Sequence, residues 1–341
     1  MKVAVISSLG RTTQDMGRYC SAAFRRLGHV AREWVYDLER GAWVLPVGAR
    51  PSLGRWHHAR FSAWLRRFKP RIVFVIKGQN MLPELIEEYR RTCDAFWVNW
   101  WIDDPGLLGL SQRLSPAYDL FLTNDPLSVE AHRRAGAKRT DWLTFAHDPE
   151  VHRPLELTDA QRRRYGCEVV FAGRLTPLRV DLLTPLVPYG LALWSEPKVA
   201  WVEDGQQVRA QELAPDHPLR KAWRGNFIWR KELAALYSAS KICVNVHSHG
   251  EYDTNLRDFE ATACGVLLVT QDRPLVREMF QVGGPAAEVV VYSGGHDLVE
   301  KVRYYLGRES ERQEIAARGM ARCRRDHAYD ARMRRVLELL P

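Results

Sequence analysis

The stretch NLRDFEATAC places Arg257 and Glu260 three residues apart in a helix-forming segment. The segment follows an apolar run, KICVNVH, across a polar loop, SHGEYDT. First-turn amides of a helix favour an anion, and an arginine there adds a bidentate phosphate contact. A glutamate further along the helix can accept hydrogen bonds from a ribose diol. Together these groups would hold a nucleoside diphosphate. The same pair also reads as a solvated i, i+3 ion pair, which is common and weak.

Other residues could carry chemistry. In WIDDP, Asp103 and Asp104 follow an apolar run just before Pro105. Adjacent carboxylates raise one another's pKa, which suits a general base for a hydroxyl. A turn or cap role explains them equally well. Trp101 beside them could lay a flat face against a sugar ring. In FAHDPEVHRP, His147 is a candidate catalytic residue, and His147, Asp148 and His152 hint at a metal. Their spacing, with Pro149 inside, fits neither a helix nor HExxH, so no metal is expected.

The elements that position these residues follow from periodicity. KICVNVH, the helical stretch, Gly265 as its stop and VLLVT make a strand–loop–helix–strand unit of a parallel sheet. Ligands bind at the carboxyl ends of such strands. KVAVISS, HVAREWVY, RIVFVIKG, AFWVNWWIDDP and YDLFLTND read as earlier strands. LGRTTQDMG reads as a loop with Gly10 in it, followed by a helix over Arg18–Leu27. No G-x-G-x-x-G is present, so a dinucleotide cofactor is disfavoured. Residues 41–54 read as loop, and RWHHARFSAWLRRF as a basic amphipathic helix suited to a crossover or to an anionic membrane surface. LELTDAQRRRYG reads as a polar linker, EVVFAG as the start of a second domain, and 196–221 as an uninformative insertion.

At 341 residues the chain has room for two domains. No apolar run is long enough to span a bilayer. The six cysteines are scattered without a CxxC pair, which fits reduced thiols in a cytoplasmic setting. The formal charge of +9 calls for an acidic partner. Zinc-finger spacing and RNP-like aromatics are missing, so nucleic acid is disfavoured and phosphate-bearing substrates or an anionic membrane face remain.

FEATACGVLLVT resembles the E-A-x-A-x-G-x-P/L-V-V segment near the donor site of two-domain glycosyltransferases of the GT-B fold. With N-x-R ahead of it, the stretch is similar to the CgeB-type spore-maturation glycosyltransferase-like family. FAGRLTPLR (171–179) resembles the strand and basic loop opening the donor domain, and HAYDARMRRVLEL (327–339) the family's closing helix. The resemblance spans roughly residues 95 to 341.

It implies an α/β, GT-B-like fold of two facing Rossmann-like domains with a deep interdomain cleft. Residues 1–153 would bind the acceptor, with Gly10 in the acceptor-side loop. Residues 154–325 would bind the donor, and 326–341 would cross back onto the first domain. The implied activity is metal-independent sugar transfer from a nucleoside-diphosphate sugar, a co-substrate rather than a cofactor, to an unidentified acceptor hydroxyl. By resemblance, Arg174, Arg179, Asn255, Arg257 and the helix start hold the diphosphate and Glu260 the ribose, and Thr254 is a further donor-binding candidate. Tyr237 lies near the base pocket, and His249 and Glu251 are candidates for the sugar side. Tyr252 stands where related retaining enzymes carry a second glutamate, so stereochemistry is left open. A nucleotide-sugar epimerase or a non-catalytic surface-associated binding protein would share these features.

Overall fold

The structure is a computed structural model that describes residues 1–36, 50–203, 206–247, 250 and 252–341. His249 and Glu251, the two sugar-side candidates, lie outside the described residues, as does much of the expected loop at 41–54. The chain divides into two compact units, one of Met1–Thr144 with Tyr329–Pro341 and one of Phe145–Ala328.

The first unit carries strands β1 (Lys2–Ser7), β2 (Val30–Val35), β3 (Ile72–Ile76), β4 (Phe96–Trp101), β5 (Leu120–Thr123) and β6 (Thr140–Trp142). They form one sheet in the order β2-β1-β3-β4-β5-β6, every neighbouring pair parallel. Its helices are α1 (Arg11–Arg26), α2 (Arg50–Phe68), α3 (Pro83–Arg90), α4 (Leu108–Leu114) and α5 (Val129–Arg134). Covered on both faces, the strands are runs of Val, Ile, Phe and Trp rather than alternations. The core gathers Ile6, Phe61, Leu65, Val75, Trp97, Trp101 and Phe121.

Helix α1 begins at Arg11, seven residues earlier than LGRTTQDMG suggested. Gly17 misled because glycine usually marks a loop. Here it sits inside the helix, where a Cβ would come within 3.2 Å of the Ser7 Cβ. It permits close approach of helix to strand, a use of glycine that sequence does not distinguish from a turn.

In the second unit the strands are β7 (Cys167–Ala172), β8 (Leu191–Trp194), β9 (Lys198–Glu203), β10 (Gln206–Glu212), β11 (Trp223–Gly225), β12 (Ser240–Val244), β13 (Leu267–Gln271) and β14 (Val290–Tyr292). Six of them form a parallel sheet in the order β11-β8-β7-β12-β13-β14. The helices are α6 (Asp159–Tyr165), α7 (Pro177–Leu183), α8 (Leu219–Ala222), α9 (Arg230–Ala239), α10 (Leu256–Ala263), α11 (Pro274–Met279), α12 (Gly295–Leu306) and α13 (Glu309–Asp326). A last helix, α14 (Tyr329–Glu338), belongs to the first unit. There Tyr329 is buried 5.5 Å from the Tyr19 ring, and Arg26 pairs with Asp330.

Two segments differ from the sequence reading. LELTDAQRRRYG is not only linker, because α6 is closed by a capping box between Thr158 and Gln161. The stretch 196–221 contains an antiparallel pair, β9–β10, and the short helix α8.

Candidate functional site

The strand order of the second unit reverses between β7 and β12, and ligands of open parallel sheets bind outside the carboxyl ends at such a switch point. After β7 the chain runs through Gly173 to Arg174, which is exposed, and α7 then carries Arg179, which is buried. After β12 come Asn245, Val246 and His247, and α10 carries Arg257 in its first turn. The topology therefore brings Arg174 and Arg179 to the same sheet edge as Arg257, which lies far along the chain.

Two of them share the Phe171 ring, with the Arg257 guanidinium carbon 4.6 Å and that of Arg179 5.4 Å from its centroid. Arg179 donates through Nε and Nη2 to the Val246 carbonyl, at 3.1 and 2.8 Å, and through Nη1 to that of Arg174. Arg257 donates to Asn245 Oδ1 at 2.6 Å and to the Ala172 carbonyl. Its Nε is buried without a partner among the described residues. Among those residues none of the three guanidinium groups forms an ion pair; the acceptors are neutral. Burial, then Arg257 and Arg174, push the Arg179 guanidinium down to about 9. Cations crowded at a switch point, with no ion pair among the described residues, are suited to an anion. Gly173 is what lets Arg257 reach it. Its φ is 153°, and an added Cβ would collide with the Arg257 guanidinium.

Arg257 is aimed by a buried network. Asn255 caps α10, accepting from the Arg257 N–H at 2.9 Å, and Asp258 accepts from the Asn255 N–H at 2.8 Å. The Asp258 carboxylate, 0 % exposed, also accepts from Asn245 at 2.7 Å, Thr270 at 2.8 Å and His247 at 2.9 Å. Asn245 then presents Oδ1 to Arg257. Asp258, Asn245, His247 and Thr270 escaped the sequence reading. The signals were an asparagine interrupting an apolar strand and N-x-x-D at a helix start.

Glu260 lies in the next turn of α10 with 12 % of its side chain exposed, 3.5 Å from His152 Nε2. Thr254 is buried beside the cap. Tyr237, expected near a base pocket, is 2 % exposed and packs inward from α9; burial raises its phenol well above the usual value.

Several expectations for the first unit change. Trp101 is fully buried in the core and has no face for a sugar. Asp104 is 1 % exposed and accepts from Ser111 at 2.7 Å, Thr123 at 2.8 Å and His132 at 2.7 Å. Buried and held by three donors, it ties the β4 and β5 ends together instead of serving as a base. His147 is sealed in the second unit, where Nε2–H donates to the Cys323 carbonyl at 3.0 Å. Asp103 alone keeps access to solvent, paired with Lys77 at 2.7 Å. Lys77 stands at φ 64°, an unusual backbone state for a lysine. It and the Gly10 loop follow β3 and β1, the pair flanking that sheet's own order reversal.

Among the described residues no group of three or more His, Cys, Asp or Glu side chains could hold a metal ion, and no helix is long and apolar enough to cross a membrane.

Two parallel six-stranded sheets, each in its own helix-covered unit, with an anion-ready edge on the second, define a Rossmann-type pair of the GT-B class. Residues 156–338, more than half of the chain, match the family described as "Glycosyl transferase-like", and the chain belongs to that family. It is a glycosyltransferase. Among solved structures it is similar to a sucrose-phosphate synthase from Thermosynechococcus elongatus, with a TM-score of 0.65 and 13% identity over 99% of this chain and 98% of that one. Anabaena HepE in complex with UDP gives 0.65 and 13% over 99% of each chain. The apo form of the lipopolysaccharide outer core galactosyltransferase WaaB gives 0.57 and 16% over 100% of each. No curated protein matches the sequence.

Proposed function

We propose that this glycosyltransferase takes a nucleoside-diphosphate sugar as donor, with the diphosphate against Arg174, Arg179, Arg257 and the Asn255-capped start of α10. The observation that carries this is the cluster of three guanidinium groups, without a carboxylate partner among the described residues, at the β7/β12 switch point. As the sugar C1–O bond breaks, its electron pair moves onto the terminal phosphate oxygen. The arginines stabilise that growing charge, without need of a metal. Glu260 accepts from the ribose diol. The base enters a cavity of about 170 Å³ lined by Arg174, Ser195, Glu196, Lys198 and Phe227, after β7 and β8. UDP-glucose bound to the structurally similar HepE is consistent with such a donor.

The first unit takes the acceptor, with Asp103 as the base for its hydroxyl proton. The N-x-R-x-x-E pattern favours the CgeB-type branch of the family. A thermal-shift screen with UDP, GDP, dTDP, CDP and ADP tests the donor assignment. One of them should raise the melting temperature, and the Glu260→Ala variant should lose most of that shift. No shift from any of the five would refute the site.

An anionic membrane face is the second partner we propose. Helix α2 contains no acidic residue, and Arg55, Arg60, Arg66 and Arg67 are exposed together with Trp56, itself 50% exposed. Arg60 lies 4.5 Å over the Trp56 ring, an arrangement suited to lipid phosphates beside an interfacial aromatic. The protein should sediment with phosphatidylglycerol vesicles but not with neutral ones. An Arg60→Glu, Arg67→Glu double variant should stay in the supernatant; equal sedimentation would exclude this face.

A further inference from the structure

The motif HDPEVH is absorbed neither by a metal site nor by catalysis, yet its second histidine is held with unusual care. Asp148 Oδ1 accepts from the Glu150 and Val151 N–H groups at 3.0 and 3.1 Å. The His152 N–H returns to the Asp148 carbonyl at 2.8 Å. The Asp148 N–H donates to His152 Nδ1 at 3.1 Å. The turn is thus closed at both ends, and the imidazole, 1 % exposed, cannot swing. Burial, with His147 adding to it, pushes this imidazole down to about 3, so it is neutral at ordinary pH. A neutral ring whose Nδ1 accepts carries its single proton on Nε2. Nε2 is the atom 3.5 Å from Glu260 Oε1.

We infer that His152 is a positioning residue for Glu260, its Nε2–H holding one carboxylate oxygen so that the other is presented to a vicinal diol. The inference rests on the reading of Glu260 as the diol-binding group. At 3.5 Å the contact stands at the long limit of a hydrogen bond. Asp148 fixes the tautomer, His152 transmits it and Glu260 uses it. The motif therefore acts on donor selection through α10, although it lies about a hundred residues earlier in the chain.

The test compares binding of a nucleoside diphosphate with binding of its 2′,3′-dideoxy counterpart, beginning with UDP. A charged acceptor facing a diol makes the parent protein prefer the ribose form by roughly tenfold or more. His152→Gln keeps an N–H near the ε position and should retain most of that preference. His152→Asn keeps only a group near the δ position, enough for the turn. It should bring the two ligands to within about twofold while leaving the dideoxy affinity unchanged. Because the readout is a ratio within one variant, partial loss of folded protein cancels.

Retained preference in His152→Asn would overturn the inference, as would parallel loss of both ligands in both variants. Glu260→Ala separates the two layers. If it abolishes the preference while His152→Asn does not, only the positioning role fails. If the parent does not discriminate, or Glu260→Ala still does, the diol reading falls and the inference with it.

Discussion

Replacing Arg257 by alanine is expected to weaken nucleoside-diphosphate binding by at least about a hundredfold while changing the stability of the ligand-free protein little. A truncated charge partner of a desolvated anion costs about 2–5 kcal/mol, and each 1.4 kcal/mol is about tenfold in affinity. Arg257 has the geometry for such a loss. Its guanidinium is pinned by Asn245 and the Ala172 carbonyl, lies over Phe171 and has no carboxylate of its own among the described residues. The stability side is a balance. Two hydrogen bonds disappear, worth about 1 kcal/mol each, and the Asn245 and Ala172 acceptors are left to water. Against that, Arg179 loses the neighbour that, after burial, does most to push its guanidinium down. Calorimetric titration and urea unfolding of the free protein read the two effects separately. Unaltered affinity would remove Arg257 from the ligand; a large stability loss would make it a structural arginine.

The second large effect falls on stability. Asp258→Asn is expected to destabilise the second unit by about 3–5 kcal/mol, the range for breaking a buried, fully paired charge. The carboxylate accepts four hydrogen bonds, from Asn245, Thr270, His247 and the Asn255 N–H. An amide of the same shape must turn one donor towards donors. For a unit of this size the fall in melting temperature is roughly 6–20 °C. Burial by itself would raise the Asp258 pKa, but His247, the Asn255 N–H and Thr270 reverse that and leave it lowered. A lowered folded-state pKa means that the contribution is fully present above the ordinary value of 3.8 and is lost as pH falls through the folded value. Urea midpoints of parent and variant should therefore stand well apart at neutral pH and converge in acid. A constant gap across that range would show that the charge is not what stabilises.

The strands were legible because runs such as RIVFVIKG and KICVNVH combine β-branched residues with breakers at their ends. The placement of Arg257 and Glu260 in a helix that follows a parallel strand was legible from the apolar run, the polar loop and Gly265 around them. The role of Asp258 was not. At the third helical position it looks like a cap, and only the tertiary fold brings Asn245, His247 and Thr270 around it. Trp101 and Asp104 failed for a related reason. A strand of a parallel sheet is buried on both faces, so alternation carries no sign of which side chain meets solvent. His147 failed because sequence gives the reach of a histidine and not its burial. The thirteen residues 37–49 lie outside what the structure describes.

The membership of α14 in the first unit bears on the order of events at the ribosome. Tyr329 is fully buried among residues of the first unit, and Arg332 and Arg335 donate to Thr144 and Asp141. The polypeptide supplies this closing piece only after all of Phe145–Ala328 has been made. The usual sequence, in which the amino-terminal domain matures first during synthesis, is therefore inverted. The later-made unit has every segment it needs as soon as it emerges. The earlier one waits with the Tyr19 side of α1 uncovered until the final helix arrives. A chain truncated after residue 328 should therefore hold a complete second unit joined to a first unit that lacks its closing helix.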